Sequence, residues 1–207
     1  KLGYVLGVDE FKAEQEAGTD MDLEVSAVWD ESKNSITVTP VVTFRVNRDE
    51  APYGFAYVLT EDGMTDSRWV QNNAYSGSHG DRGVTKEFDE IIDSPGEIHN
   101  LKNNFVAIAA EGVNVPVTGH VEAPIKADTP LNHSYVFKDI NSKKVIQKKE
   151  NLRVCVLLIN TQTRHVENAA KCVISEPKPT AISSVSDGTR SEVVVGRYTL
   201  DGRRITT

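Results

Sequence analysis

Ser78, His79 and Asp81 stand almost side by side in SGSHGD (76–81), and these are the residue types of a hydrolytic triad. A triad works by geometry: the base must be aimed at the nucleophile and oriented by the acid, which distant segments normally achieve together. Neighbours in a Gly-rich loop do not meet that demand, and the chain has no Gly-x-Ser-x-Gly elbow. The five histidines, His79, His99, His120, His133 and His165, are scattered singly, with no pair at helical ligand spacing and no Cys pair beside them. The residues therefore predict no catalytic set and no zinc site.

Three other groups carry chemistry worth weighing. Glu61, Asp62 and Asp66 are oxygen donors of the kind Ca²⁺ takes, but their spacing is not that of an EF-hand. The plainer reading is an acidic turn in which Asp62-Gly63 does backbone work. Apart from this weak Ca²⁺ candidate, no cofactor is expected. Trp69 and Tyr75 could form an aromatic platform for a sugar or a peptide, since such rings offer large area at low entropy cost. Asn72 and Asn73 lie between them and complete the candidate binding set. The plainer reading has Trp69 plugging the end of a β-sandwich. Cys155 and Cys172 are the only cysteines. If Thr163 and Arg164 form the tip of a hairpin, the two fall opposite each other as a non-hydrogen-bonded pair, with Cα atoms roughly 4.5 Å apart. A disulfide accepts that distance. A four-residue turn could keep that pairing, a three- or five-residue loop would shift it, and two buried free thiols are the alternative. Lys143, Lys144, Lys148 and Lys149 make a small cationic patch that reads most simply as a solvated loop.

The elements that must position these residues are mostly strands. VDEFKAEQEA (8–17) is the one good helix candidate, stopped by Gly18. From Asp20 the apolar period is two. Leu23, Val25, Ala27 and Trp29 share a face, and so do Ile36, Val38, Val42, Phe44 and Val46, with DESKN turning the chain between them. Pro40 inside the second run predicts a sheet edge or a bulge. YGFAYVLT (53–60) and NLRVCVLLIN (151–160) are apolar on both faces and predict central strands. Further strands are expected at 67–71, 104–110, 115–124, 132–139 and 165–175. Residues 72–104 are rich in loop signals, and a loop that long is usually functional or mobile. EPKPT (176–180) marks a linker. About nine or ten short strands predict an all-β fold, an antiparallel two-sheet sandwich of immunoglobulin-like or jelly-roll-like type with a short N-terminal helix. The expected organisation is a helical segment at 1–19, a sandwich at 20–176, and a linker with one strand (192–200) at 177–207. That last strand needs a partner and could add to a neighbouring sheet.

A chain of 207 residues is ample for one closed core. Its net charge of −7 and pI near 5.3 argue against a nucleic-acid footprint. No apolar run approaches the roughly 18 residues of a membrane span. Lys1-Leu2-Gly3 leads into an acidic segment without a secretory signal, which says nothing if the chain is trimmed.

The order YGFAYVLTEDGMTD…WVQNNAYSG (53–77), NNFVAIAAEG (103–112), SYVF (134–137) and VCVLLINTQTRHVENAAKCVI (154–174) resembles the C-terminal β domain of the 28-kDa outer-membrane protein family of Bacteroidetes. The resemblance implies an exported protein at the outer membrane or cell surface. It also implies an anchor outside this chain, an upstream thioredoxin-like domain in some members, and adhesin-like or receptor-like roles. No Cys-x-x-Cys occurs here. In an exported protein the oxidising compartment would permit the cross-strand disulfide. RYTLDGRRI (197–205) is similar to the opening of a small C-terminal module of secreted Bacteroidetes proteins, shortened here. The expected function is non-catalytic binding of a protein or glycan on a host or neighbouring cell, through the loops around Trp69 and Tyr75. The alternative is a structural spacer.

Overall fold

The computed structural model describes residues 8–78, 80, 82–177, 197–198 and 204–205. After helix α1 (Val8–Ala17) the chain runs through β1 (Met21–Trp29), β2 (Ile36–Phe44), β3 (Tyr53–Glu61), β4 (Val70–Asn72), α2 (Lys86–Asp93), β5 (Glu97–His99) and β6 (Val106–Glu111). β7 (Leu131–Asn132), β8 (Tyr135–Phe137), β9 (Leu152–Asn160) and β10 (Val166–Ser175) follow. The main sheet runs β6-β3-β9-β10-β1-β2-β7, with β8 also on β2, and β4 pairs with β5 in a separate ribbon.

Every pairing among these strands is antiparallel except that of β10 with β1, which touch in parallel at only Ala27↔Ile174 and Val28↔Ser175. At that short junction the path folds over into two layers. The inner faces of β1 and β2 (Ala27, Trp29, Ile36, Val38, Val42, Phe44) join those of β3 and β9 (Phe55, Tyr57, Leu59, Val154, Val156, Leu158) in one buried cluster. Rings meet across the layers: Phe44 lies 5.0 Å from Tyr53, and Tyr57 stacks on Tyr135 at 4.5 Å. The protein is an all-β sandwich with a short N-terminal helix, as the alternating pattern predicts. β3 is buried on both faces between β6 and β9, and Val46 lies exposed beyond the end of β2.

Pro40 is neither at an edge nor in a bulge. It pairs with Val25 in unbroken register, and β2 is flanked on its other side by β8 at 36–38 and by β7 at 41–42. The Pro40 carbonyl accepts from the His133 N–H at 3.2 Å, so the missing Pro40 N–H faces the break between those two short strands. No β1–β2 ladder bond is lost.

The strand expected at 115–124 does not form. The segment crosses the sheet edge with isolated bridges, Val117 to Phe55 and, just past it, Ile125 to Arg48. Gly112, at φ +77°, lets this crossing back directly onto β3, because an added Cβ would strike the Phe55 carbonyl. The expected 72–104 loop contains α2, whose Thr85 hydroxyl accepts from the Phe88 N–H at 3.1 Å and whose Ile92 is buried.

The chain divides into two units, Lys1–Pro177 and Lys178–Thr207. In the second, Arg197–Tyr198 pairs with Arg204–Ile205, and the rest of the strand expected at 192–200 lies outside the described residues.

Candidate binding site

The turn after β3 sets the geometry of the loop end. Glu61 is buried, and its carboxylate accepts from the backbone N–H groups of Gln147 (3.0 Å) and Lys148 (2.6 Å). Asp62 accepts from the Phe105 N–H at 3.0 Å and faces Arg153 Nε at 3.7 Å. Asp66 takes both the backbone and the guanidinium of Arg68 at 2.7–2.9 Å, and that pairing holds its carboxyl down to about 2. The three acids weighed for Ca²⁺ thus serve three different protein partners, and no group of three or more metal-ligating side chains occurs among the described residues.

Met64 and Asn103 exchange backbone hydrogen bonds at 3.0 and 2.8 Å, which brings the Trp69 turn beside the start of β6. There Trp69 lines a concavity of about 400 Å³ with Asn103, Asn104, Phe105 and Val106. Phe105 is 56% exposed and its φ is +57°, a left-handed conformation that bulky residues rarely adopt. Asp62 holds its N–H, and Lys171 Nζ sits 4.0 Å from its ring centroid. The Asn104 side-chain oxygen accepts from the Gly63 N–H, and Asn103 Nδ2 donates to the Leu101 carbonyl, so both amides are fixed.

Tyr75 does not join this group. It packs edge-on against Phe88 at 5.1 Å and lines a second concavity, about 340 Å³, with Asn72, Asn73, Ile91 and Ile98. Asn73 is committed to the fold: its amide donates to the Ile91 carbonyl at 2.7 Å and accepts from the Tyr75 N–H at 3.1 Å. Asn72 is exposed. Trp69 and Tyr75 therefore line two separate surfaces rather than one platform. Phe105, which the sequence pattern places inside a strand at 104–110, is the aromatic residue that shares the concavity with Trp69.

The cysteine pairing is corrected. The hairpin loop is 161–164, closed by Asn160 and His165, and a bulge at Glu167 puts Cys155 opposite Lys171 and Cys172 opposite Val154. Val154 faces the core, so Cys172 points inward while Cys155 points outward, and the two are free thiols on opposite faces of the sheet. Burial pushes both thiols up, Cys172 to about 11.

His79 and Asp81 lie outside the described residues. His120 and His133, thirteen residues apart, stack with planes 19° apart. A metal ion lies in the plane of each imidazole that binds it, and planes this nearly parallel share no point within bonding reach, so the pair is a packing device and not a chelate.

No protein-family model matches the chain, and no curated protein matches it. Two solved structures are similar to it. HBP35 of Porphyromonas gingivalis is 11% identical with a TM-score of 0.48, over 96% of this chain and 59% of that one. This chain thus spans less than two thirds of that protein. A domain of the outer membrane lipoprotein Omp28 from Porphyromonas gingivalis is 10% identical with a TM-score of 0.37, over 77% of this chain and 92% of that one. Likenesses this distant fix neither family nor function.

Proposed function

We propose that the chain is a non-catalytic binding domain of an exported bacterial protein, displayed at the outer membrane or cell surface in an adhesin-like or receptor-like role. Its ligand site is the Trp69–Phe105 concavity. The location rests on the sequence resemblance to the 28-kDa outer-membrane proteins. The site rests on one observation: Phe105 is exposed, in a strained backbone conformation, with its N–H clamped by Asp62. Strain in an exposed aromatic residue marks a position held for contact rather than for stability. Two rings beside fixed amides suit the apolar face and hydroxyls of a saccharide, or a peptide with an aromatic or amide side chain.

The test is a screen of the full chain against arrayed glycans and matrix proteins, with and without Ca²⁺. Trp69→Ala and Phe105→Ala, each shown to be folded, serve as controls. A specific hit lost in both variants is expected. A clean negative, or a hit indifferent to both, overturns the reading.

A further inference from the structure

A cavity of about 290 Å³ opens where β1 turns into β2 and β9 begins, walled by Trp29, Lys33, Lys149, Glu150, Arg153 and Glu176. Among its charged side chains three are cationic (Lys33, Lys149, Arg153) and two acidic (Glu150, Glu176), one net positive charge on a chain that carries −7. The side chains of Lys149 and Arg153 are held in place by the protein, and so is the backbone of Lys33. Lys33 sits at φ +51° in a turn that Asp30 ties by accepting from the Asn34 and Ser35 N–H groups at 2.7 and 2.8 Å. Lys149 Nζ donates to the Lys33 carbonyl at 2.8 Å and to Asn141 Oδ1, and lies 5.8 Å from the Trp29 ring centroid. Arg153 has a side chain 26% exposed, donates to the carbonyls of Glu150 and Leu152 at 3.0 and 2.7 Å, and has Asp62 Oδ2 3.7 Å from its Nε, which offsets part of its charge. Lys149 and Arg153, fixed in advance, bind an anion at reduced ordering cost, while the Lys33 ammonium is ordered by its carboxylate or anion partner.

One carboxylate already reaches in. Glu176 lies 2.7 Å from Lys33 Nζ, yet the two side chains are 65% and 48% exposed, and a pair so exposed contributes little and is readily displaced. We propose that this cavity binds a compact oxyanion: a sulfate, phosphate or carboxylate group, free or carried on a sugar. Lys33, Lys149 and Arg153 are its cationic partners, Trp29 is the apolar wall, and Glu176 is an internal competitor that the ligand replaces. The site is separate from the Trp69–Phe105 concavity and does not depend on that reading.

The test is a two-dimensional NMR titration of the full chain with sodium sulfate against sodium chloride at matched ionic strength, because screening alone must be subtracted. Galactose 6-sulfate and galactose are run in parallel. Saturable shifts are expected at the Trp29 indole and at the Lys33, Lys149 and Glu176 amides. Lys149→Met, which keeps the stem against Trp29, should weaken sulfate binding by about tenfold, as loss of a charge-assisted partner does. Glu176→Gln should tighten it by roughly two- to fivefold, the worth of an exposed pair. Tighter binding of galactose 6-sulfate than of sulfate places the oxyanion on a sugar; equal or weaker binding places it free in solution. Shifts that rise without saturation and spread equally over Lys143, Lys144 and Lys148 overturn the proposal. So does a Glu176→Gln variant with unchanged affinity.

Discussion

His120 and His133 lie face to face with ring centroids 3.1 Å apart, joining the segment that crosses the sheet edge to the break between β7 and β8. Phe55 and Tyr57 flank His133 at 6.2 Å each, and the buried Tyr57 hydroxyl has no hydrogen-bond partner among the described residues. Burial, and then the His120 charge, hold His133 below its ordinary pKa of 6.5. The unfolded chain therefore binds a proton that the folded state resists. The stability due to neutral His133 is present above about pH 6.5 and is lost as pH falls below it. The urea midpoint should drop between pH 7 and pH 5, and His120→Ala should flatten that drop. An unchanged slope in the variant would show that His120 does not contribute to the shift at His133.

Glu61 is a carboxylate placed in the core to hold the β8–β9 connection by its backbone. In Glu61→Gln the amide keeps one acceptor and turns an N–H₂ toward N–H donors, at a cost of about 2–3 kcal/mol. Urea unfolding followed by tryptophan fluorescence measures it. A loss below about 0.5 kcal/mol would mean that solvent takes over the Gln147 and Lys148 amides.

Both thiols should be alkylated under denaturing conditions without reductant, adding two labels to the intact mass. In the native protein at neutral pH labelling should be slow and should accelerate as pH rises, with Cys172 later than Cys155 because its thiol is raised further. A mass unchanged by alkylation would require a disulfide and a different register.

Phe105→Gly separates stability from binding. Glycine takes φ > 0 freely, which recovers about 1 kcal/mol of backbone strain and offsets the loss of an exposed Lys171–ring contact worth about 0.5–1 kcal/mol. The melting temperature should hold or rise while any ligand bound through Trp69 is lost. A clear fall in melting temperature would instead make Phe105 a structural residue.

Two strands are legible because one face is wet: Leu23 to Trp29 and Ile36 to Phe44 alternate as a half-buried sheet must, whereas 53–60 lacks alternation because both its faces are buried, and 151–160, nearly all apolar, largely alternates buried with half-buried residues. Helix α2 is written more faintly, in Thr85 followed by Phe88, Ile91 and Ile92, a cap and one apolar face squeezed between Gly83 and Pro95. The false strand at 115–124 shows the opposite error: Val115, Val117 and Val121 alternate, but Pro116 and Gly119, at φ +85°, deny it a ladder. The cysteine register hangs first on the hairpin loop, which centres on Gln162 and Thr163 rather than on Thr163 and Arg164, and then on the unpaired Glu167, which moves the partners by one residue; no local residue type announces either. Trp69 is visible as an exposed-looking ring in a turn. Phe105 is not, because a single positive φ one residue before β6 leaves no mark in the hydrophobic pattern.

The parallel contact of β1 with β10 has a mechanical consequence. Because those two strands run the same way, the chain enters the sandwich at Met21 and leaves beside Val28, seven residues along β1, or roughly 23 Å at a strand's rise. A pull applied between the segments before and after the domain is directed along these strands. It loads the β1–β10 junction, and the Asn168 side chain's bond to the Met21 carbonyl at 2.7 Å, in shear. Bonds loaded in shear must break together, whereas a hairpin pulled from its open end unzips one bond at a time. A domain wired this way resists a pull on its two ends better than one whose ends leave side by side.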